Sequence, residues 1–391
     1  MTEKILALPK PIGPFQVGRT HLNFVDETRG NPSPLSDKNK RDIPLLIWYP
    51  IDNPGTSPPL KFLKHQDLIS FQTIYKYVPD TLCNVVTNSY KDTSISDKLP
   101  KFPVLIFNHG LTTFMEQSSI LMEHLASNGY IVVSIGHPYD GVASYPDGRS
   151  IPLDANFYKD FFNPSDEDLR KEKEYLDQIR SKILSFEQMK MLIEKLSNLN
   201  HFSSRKQSIK VWVEDVLFIT DILERMSSGS IQTQFKHKLT LEKGIGLFGH
   251  SLGGITASLA CSLNKRFKCA INIDGPMYNA LIERYQYNKP HMFMYSENNK
   301  NINRYFYTIN KSDSYSVTIK NSTHFDFMDT GYFYKILLGE SNTRYGTIDS
   351  DLMIKITNDY VFSFFNKYIK ETTEKTLESN PYEIVSFEWH Q

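Results

Sequence analysis

The chain has 391 residues, with Lys+Arg 44 against Asp+Glu 44, and this balance excludes a general basic field for holding nucleic acid. Hydrophobic residues make up 40% and charged residues 23%, enough for a sizeable core and too little charge for wholesale disorder. No apolar run reaches the roughly eighteen residues of a membrane-crossing helix, and Cys83, Cys261 and Cys269 lack metal-type or disulfide-framework spacing, so they read as reduced, buried thiols.

Residues 1–15 hold no apolar stretch long enough for a secretory signal, so the expected location is the cytoplasm, or outside after export without a cleavable leader. Two strand-like runs follow, Phe15 to Phe24 and Ile43 to Tyr49, with a polar loop around Asn31-Pro32-Ser33-Pro34 between them. Residues 51–100 are mixed. Asn53 to Pro59 is irregular on account of its prolines and Gly55, and the remainder gives no clear period. Val104 to Phe107, a helix over Gln117 to Ser127 stopping at Asn128-Gly129, and Tyr130 to Ile135 form a βαβ unit, which implies parallel strands. Residues 151–235 read as a helical insertion. Leu176, Ile179, Ile183, Phe186, Ile193 and Leu196 step by threes and fours along one predicted long helix, with one wider gap after Phe186 that Met189 or Lys190 fills, and Trp212, Val216, Ile219, Leu223 and Met226 mark another. The strand–helix alternation then resumes, with strands at Ile245 to Phe248, Cys269 to Ile273, His291 to Tyr295 and Tyr315 to Ile319. A last helix is expected from Ser350 to Tyr368, and 372–391 reads as a polar, loosely held tail. The whole is expected to be one α/β domain over 1–391, a mostly parallel sheet with helices on both faces and one helical insert.

Gly249-His250-Ser251-Leu252-Gly253 is a G-x-S-x-G pattern between a strand and a helix. A nucleophilic serine there needs a tight turn, and a side chain at either flanking glycine would strike the neighbouring strand or helix. Gly254 lets the helix start close to the sheet, and its N-terminal dipole faces developing negative charge. The base should follow the acid in the chain. His324, in the loop after the strand ending at Ile319, fits that place; His291 falls inside a strand and His390 in the tail. Asp274 and Glu297 both end strands, and the residues alone leave the acid open between them. Asn108-His109-Gly110-Leu111 reads as the oxyanion loop. The Leu111 and Leu252 amides are the expected donors, Gly110 is expected to supply unusual dihedrals, and His109 to brace the loop.

These segments resemble the platelet-activating factor acetylhydrolase family of the plasma and intracellular type-II kind, also called lipoprotein-associated phospholipase. The likeness runs over roughly 12–370 and includes Gly13-Pro14-Phe15-Gln16-Val17-Gly18, Leu46-Ile47-Trp48-Tyr49-Pro50, Phe102 to Leu111, Ala126 to Val132, Gly249 to Gly254, Ala270 to Asp274 and Thr323 to Phe327. The resemblance implies an α/β-hydrolase fold and puts the acid on Asp274, so that the catalytic set is Ser251, Asp274 and His324 with Leu111 and Leu252 as oxyanion donors. It also implies calcium-independent hydrolysis of short or oxidised sn-2 acyl esters of phospholipids, with no metal or organic cofactor. A general carboxylesterase or lipase acting on other esters is the competing expectation. The chain departs from the family at Leu252, Thr112, Gly275 to Tyr278, Phe325 and Asp326, residues expected to line the pocket and tune acyl specificity. The expected partner is a small-molecule or lipid ester, with no nucleic acid. The insert's apolar face is expected to pack on the sheet, and a transient membrane-surface contact is the alternative for it.

Overall fold

The structure, a computed structural model, describes residues 6–30, 32–36, 40–76, 78–180, 184–279, 288–338 and 344–391. Strands β1 (Gln16–Asp26) and β2 (Arg41–Ile51) pair antiparallel without interruption, from Gln16 opposite Ile51 to Asp26 opposite Arg41. The segment without a sequence period holds β3 (Pro59–Lys61), α1 (His65–Ile74) and β4 (Val86–Lys91); β4 runs parallel to β1 and antiparallel to β3. Then come β5 (Phe102–Asn108), α2 (Ser119–Ser127) and β6 (Ile131–Ile135), with β5 and β6 parallel as the βαβ pattern requires. Gly129, at φ +85°, ends α2 in the left-handed conformation that a Cβ disfavours.

A small hairpin, β7 (Ala143–Ser144) and β8 (Ser150–Ile151), precedes the insert of α3 (Lys159–Phe162), α4 (Asp166–Arg180), α5 (Phe186–Ser197) and α6 (Ser203–Ser228). The single long helix expected over Leu176 to Leu196 is two helices. Ser185 accepts the Gln188 N–H (3.3 Å) while Gln188 accepts the Ser185 N–H (2.9 Å), a capping box that starts a new helix inside a continuous apolar period. Ile183 lies outside the described residues.

The remaining elements include β9 (Leu239–Thr240), β10 (Ile245–His250), α7 (Leu252–Leu263), β11 (Phe267–Ile273), β12 (His291–Ser296), α8 (Arg304–Ile309), β13 (Ser314–Ile319), α9 (Asp329–Leu338), α10 (Ser350–Phe365), α11 (Lys375–Glu378) and β14 (Val385–His390). The strands order as β14-β13-β12-β11-β10-β5-β6-β2-β1-β4-β3, with β9 beside β5. From β6 across to β13 all neighbours are parallel. The tail is not loose. Val385, Phe387 and Trp389 alternate with polar residues, and this strand period, masked by the segment's polarity, pairs β14 antiparallel with β13 and stacks Trp389 on Tyr315 at 6.2 Å.

The pleat divides the core between two faces. Val104 and Ile106 of β5 point with Ile43, Leu45 and Ile47 of β2 toward Trp212, Val216, Ile219 and Leu223 of α6. Leu105, Phe107, Leu46 and Trp48 point the other way, toward Leu121 and Leu125 of α2 and Ile356 and Tyr360 of α10. Full burial of each such side chain contributes roughly 1.5–3 kcal/mol, so α6 is bound to the sheet along its whole apolar stripe. Cys261 and Cys269 are buried, whereas Cys83 is only partly so. Among the described residues no helix is long and apolar enough to cross a membrane.

Candidate active site

Ser251 sits on the turn from β10 into α7 at φ 55° and ψ −121°, a strained conformation held by its N–H donating to Ile273 O at 2.8 Å. The flanking glycines are there for space. A Cβ on Gly249 would fall 2.3 Å from the Gly253 backbone, and one on Gly253 would fall 2.0 Å from Asn108 O. Gly254 is equally confined, its Cβ position lying 2.6 Å from Asn272 Oδ1. The turn can therefore carry the serine only with bare backbone on both sides.

Asp274, at the end of β11, is fully enclosed and accepts from the Ser296 N–H (2.8 Å), Ser296 Oγ (3.0 Å), Asn299 Nδ2 (2.9 Å) and His324 Nδ1 (2.7 Å). Burial works against its charge, but the hydrogen bond and charge of His324, with the Ser296 and Asn299 donors, outweigh it and hold the carboxyl below its ordinary value. Glu297 is exposed and accepts the Asn321 N–H at 2.7 Å, which ties down the turn after β13 and leaves it off the imidazole. Of the other downstream histidines, His291 starts β12 in the core and His390 bonds Tyr307 O at 2.7 Å. His250, which sequence reasoning passed over, packs its ring 4.4 Å from that of His324 and donates from Nε2 to the His324 carbonyl at 3.0 Å. Burial, then the neighbouring His324, pushes its pKa down to about 3, so it is a neutral prop. Its place in the elbow, directly before the serine, is the signal that was available.

The loop after β5 is held from several sides. Gln117 Oε1 accepts the Gly110 N–H (2.7 Å) and the Thr113 hydroxyl (2.6 Å). His109 is buried, with Nδ1 2.7 Å from Gly110 O and Nε2 accepting the His137 N–H at 3.3 Å. The expected dihedrals are displaced by two positions. Gly110 is not left-handed, and its hydrogen gives room to Gln117 and His250, 3.2 Å from where a Cβ would lie. Thr112 takes the positive φ, at 70°, stabilised by its N–H to Asp140 O (2.8 Å) and by the Tyr75 hydroxyl at 2.5 Å. Among the described residues neither the Leu111 nor the Leu252 amide has an acceptor, and both residues line the cavity that contains Ser251.

Beneath this loop lies a buried ion network that the sequence did not disclose. Asp215 of α6 pairs with Arg41 through two 2.6 Å contacts, with Arg29 at 2.7 Å and with His137 Nδ1 at 2.9 Å. Burial raises the Asp215 pKa, but Arg41 and then His137 outweigh it and hold the carboxyl well below the carboxylate range. His137 stacks on Trp212 at 3.8 Å, and Trp212 Nε1 donates to Asp140 Oδ2 at 2.6 Å. The insert is thus clamped beneath the loop after β5. Asp215, three residues after Trp212, falls on the buried stripe of α6, which was the readable sign.

The cavity has a volume of about 510 Å³, with Ser251, His324, Leu111 and Leu252 on one wall and Leu176, Ile255, Pro276 and Ile302 forming apolar surface. Phe325 and Tyr278 also face it, whereas Asp326, expected in the pocket, turns away to cap Thr323 N–H (2.7 Å) and pair with Lys335 (3.0 Å). Gly275 and Met277 are likewise off this wall; a Cβ on Gly275 would lie 2.2 Å from Ser251 O, and the Met277 N–H bonds Asn303 at 2.7 Å. From the insert come Glu172, held by His201 at 3.0 Å, and Arg205. Among the described residues Arg205 has no hydrogen bond or ion pair; its guanidinium lies over Phe202 at 4.1 Å and Phe161 at 4.6 Å. Burial lowers its pKa to about 10, which leaves it a cation. The arrangement joins a strained serine, a carboxylate-held imidazole, two free amides and one unpaired positive charge around a single chamber.

Comparison with known proteins agrees with this chemistry. The family model for platelet-activating factor acetylhydrolase, isoform II, matches residues 1–381. The platelet-activating factor acetylhydrolase of Canis lupus familiaris is 28% identical over 382 residues, covering 93% of this chain and 77% of its own. That of Gallus gallus is 24% identical over 389 residues, covering 94% and 85%. A solved ferulic acid esterase from Streptomyces cinnamoneus superposes with a TM-score of 0.73 at 18% identity, over 98% of this chain and 99% of that one, and shares the α/β-hydrolase fold.

Proposed function

The chain belongs to the platelet-activating factor acetylhydrolase, isoform II, family, and from that membership we propose that this serine ester hydrolase removes short sn-2 acyl groups from phospholipids without calcium. Ser251 Oγ attacks the acyl carbonyl as His324 takes its proton, and Asp274 fixes the imidazole tautomer and stabilises the cation. The Leu111 and Leu252 amides receive the oxyanion. The lyso-lipid alcohol leaves with the proton from His324, and water, deprotonated by the same ring, then cleaves the acyl-serine ester. The observation that carries this reading is the 2.7 Å Asp274–His324 contact on the wall of the chamber that holds Ser251.

Arg205 supports a phospholipid over a neutral ester, because an unpaired guanidinium in a substrate chamber fits a phosphate. Arg205→Gln should raise KM for a short-chain phosphatidylcholine about 10–100-fold with kcat little changed, the cost of one charged hydrogen-bond partner. KM for a neutral nitrophenyl ester should stay put. Equal losses on both esters would remove the phosphate reading and favour a general carboxylesterase.

For the membrane contact, Phe162, Leu169, Phe186 and Met191 stand exposed along α3–α5, and Phe162 also lines the chamber. These side chains would seat the chamber on a lipid surface. Vesicle co-sedimentation that falls when they are replaced by Ser supports this seating; no sedimentation of the unaltered protein rejects it.

A further inference from the structure

A second cavity, of about 370 Å³, opens in the other half of the sheet, bounded by β1, the segment from β3 into α1, and the β7–β8 turn. Its wall carries Arg19, Lys61, Lys64 and Lys91 against only two acids, Asp92 and Glu116. Arg19 is 8% exposed. One of its terminal nitrogens donates to Lys61 O at 3.0 Å, and the other is buried and without a partner among the described residues. The acids leave Lys61 and Lys64 without an ion pair among the described residues, and of the three lysines Lys91 alone has one. Lys61 Nζ bonds Asn84 O (3.1 Å) and Lys64 Nζ bonds Tyr145 O (3.2 Å), while Lys91 stands 3.8 Å from Asp92. Glu123, whose charge also acts on Arg19, is engaged by Ser89 and Asn88.

An enclosed guanidinium with an unmet N–H is unfavourable unless an anion completes it. Its planar fork matches two oxygens of one phosphate or carboxylate, and ammonium groups beside it favour the ligand with more charge. The room exceeds what a lone ion fills. We propose that this cavity is a second binding site, for a small molecule bearing a phosphate dianion, with Arg19 as its buried anchor and Lys64 and Lys91 completing the charge. The proposal stands independently of the ester-hydrolase reading, since no residue of the Ser251 chamber lines this cavity.

The test is calorimetric titration of the whole protein with inorganic phosphate at pH 7.5, with sodium chloride matching ionic strength. Saturable one-to-one binding is expected. It should weaken by about tenfold or more in Arg19→Gln, by several-fold in Lys64→Gln and Lys91→Gln, and persist in Arg205→Gln. A response that rises without saturating is an adventitious ion only and overturns the proposal. So does binding that survives Arg19→Gln or vanishes in Arg205→Gln. If Arg19→Gln fails to fold, undiminished binding in both lysine variants overturns it instead. A parallel titration with glycerophosphocholine separates the sources of phosphate. Affinity for this zwitterion, whose phosphodiester carries one negative charge, equal to that for phosphate would reject a dianion site in favour of a lipid headgroup.

Discussion

Asp274 and Arg19 are both buried ions, one in each half of the sheet, and they are treated in opposite ways. Asp274 is met by Ser296, Asn299 and His324, so its charge is answered wholly from within the chain. Arg19 is hydrogen-bonded by one carbonyl, feels the charges of Glu116 and Glu123 without bonding either, and keeps a nitrogen with nothing to bond. Ions are rarely enclosed without partners, and the contrast separates a constellation already assembled by folding from one that an outside molecule would complete.

The largest effect should come from the assembled side. Ser251→Ala is expected to lower kcat by about 10⁶, since triad members act as a unit. Asp274→Asn should lower it by about 10⁴ with KM little altered, while Glu297→Gln stays close to the unaltered enzyme. Steady-state kinetics that reverse this order would move the acid to Glu297 and dissolve the contrast. Asp215→Asn should cost about 3–5 kcal/mol in urea unfolding, because it strands the buried Arg41; a loss within experimental error would mean that the clamp under the oxyanion loop is dispensable.

The smallest effect sharpens the other side. Burial, opposed by the Arg19 charge, raises the Glu116 pKa to about 7 from an ordinary 4.5. The unfolded chain therefore releases this proton first, so stability is lost as pH rises from near 4.5 to near 7. Glu116→Gln should unfold like the unaltered protein near pH 4 and exceed it by up to about 3 kcal/mol at pH 8. Parallel Tm curves over that range would show Glu116 to be ordinary.

Much of the fold was legible because period and punctuation agreed. The β5–α2–β6 unit, the elbow glycines and Gly129 each have one local solution. Without the family resemblance the acid was not legible, because Asp274 and Glu297 both end strands, and in the fold the Asn321 amide, brought in by the turn after β13, takes Glu297 out of contention. Arg205 was not legible, because nothing in the sequence around it marks the chamber that it lines. The break between α4 and α5 is masked by the apolar steps that run through it, although Ser185 and Gln188 spell the cap. Thr112 shows the limit of reading glycine as the mark of a left-handed residue: the tertiary bonds to Asp140 and Tyr75 hold a β-branched side chain there instead.

The pairing of β14 with β13 also sets an order of events during synthesis. The β13 edge, on the far side from the strand that ends at Ser296, has no cover until residues 385–390 leave the ribosome. A nascent chain stalled before that point presents an open row of backbone donors and acceptors to its neighbours. Translation arrest or proteolytic trimming in this short stretch would thus promote aggregation long before it touched the chemistry.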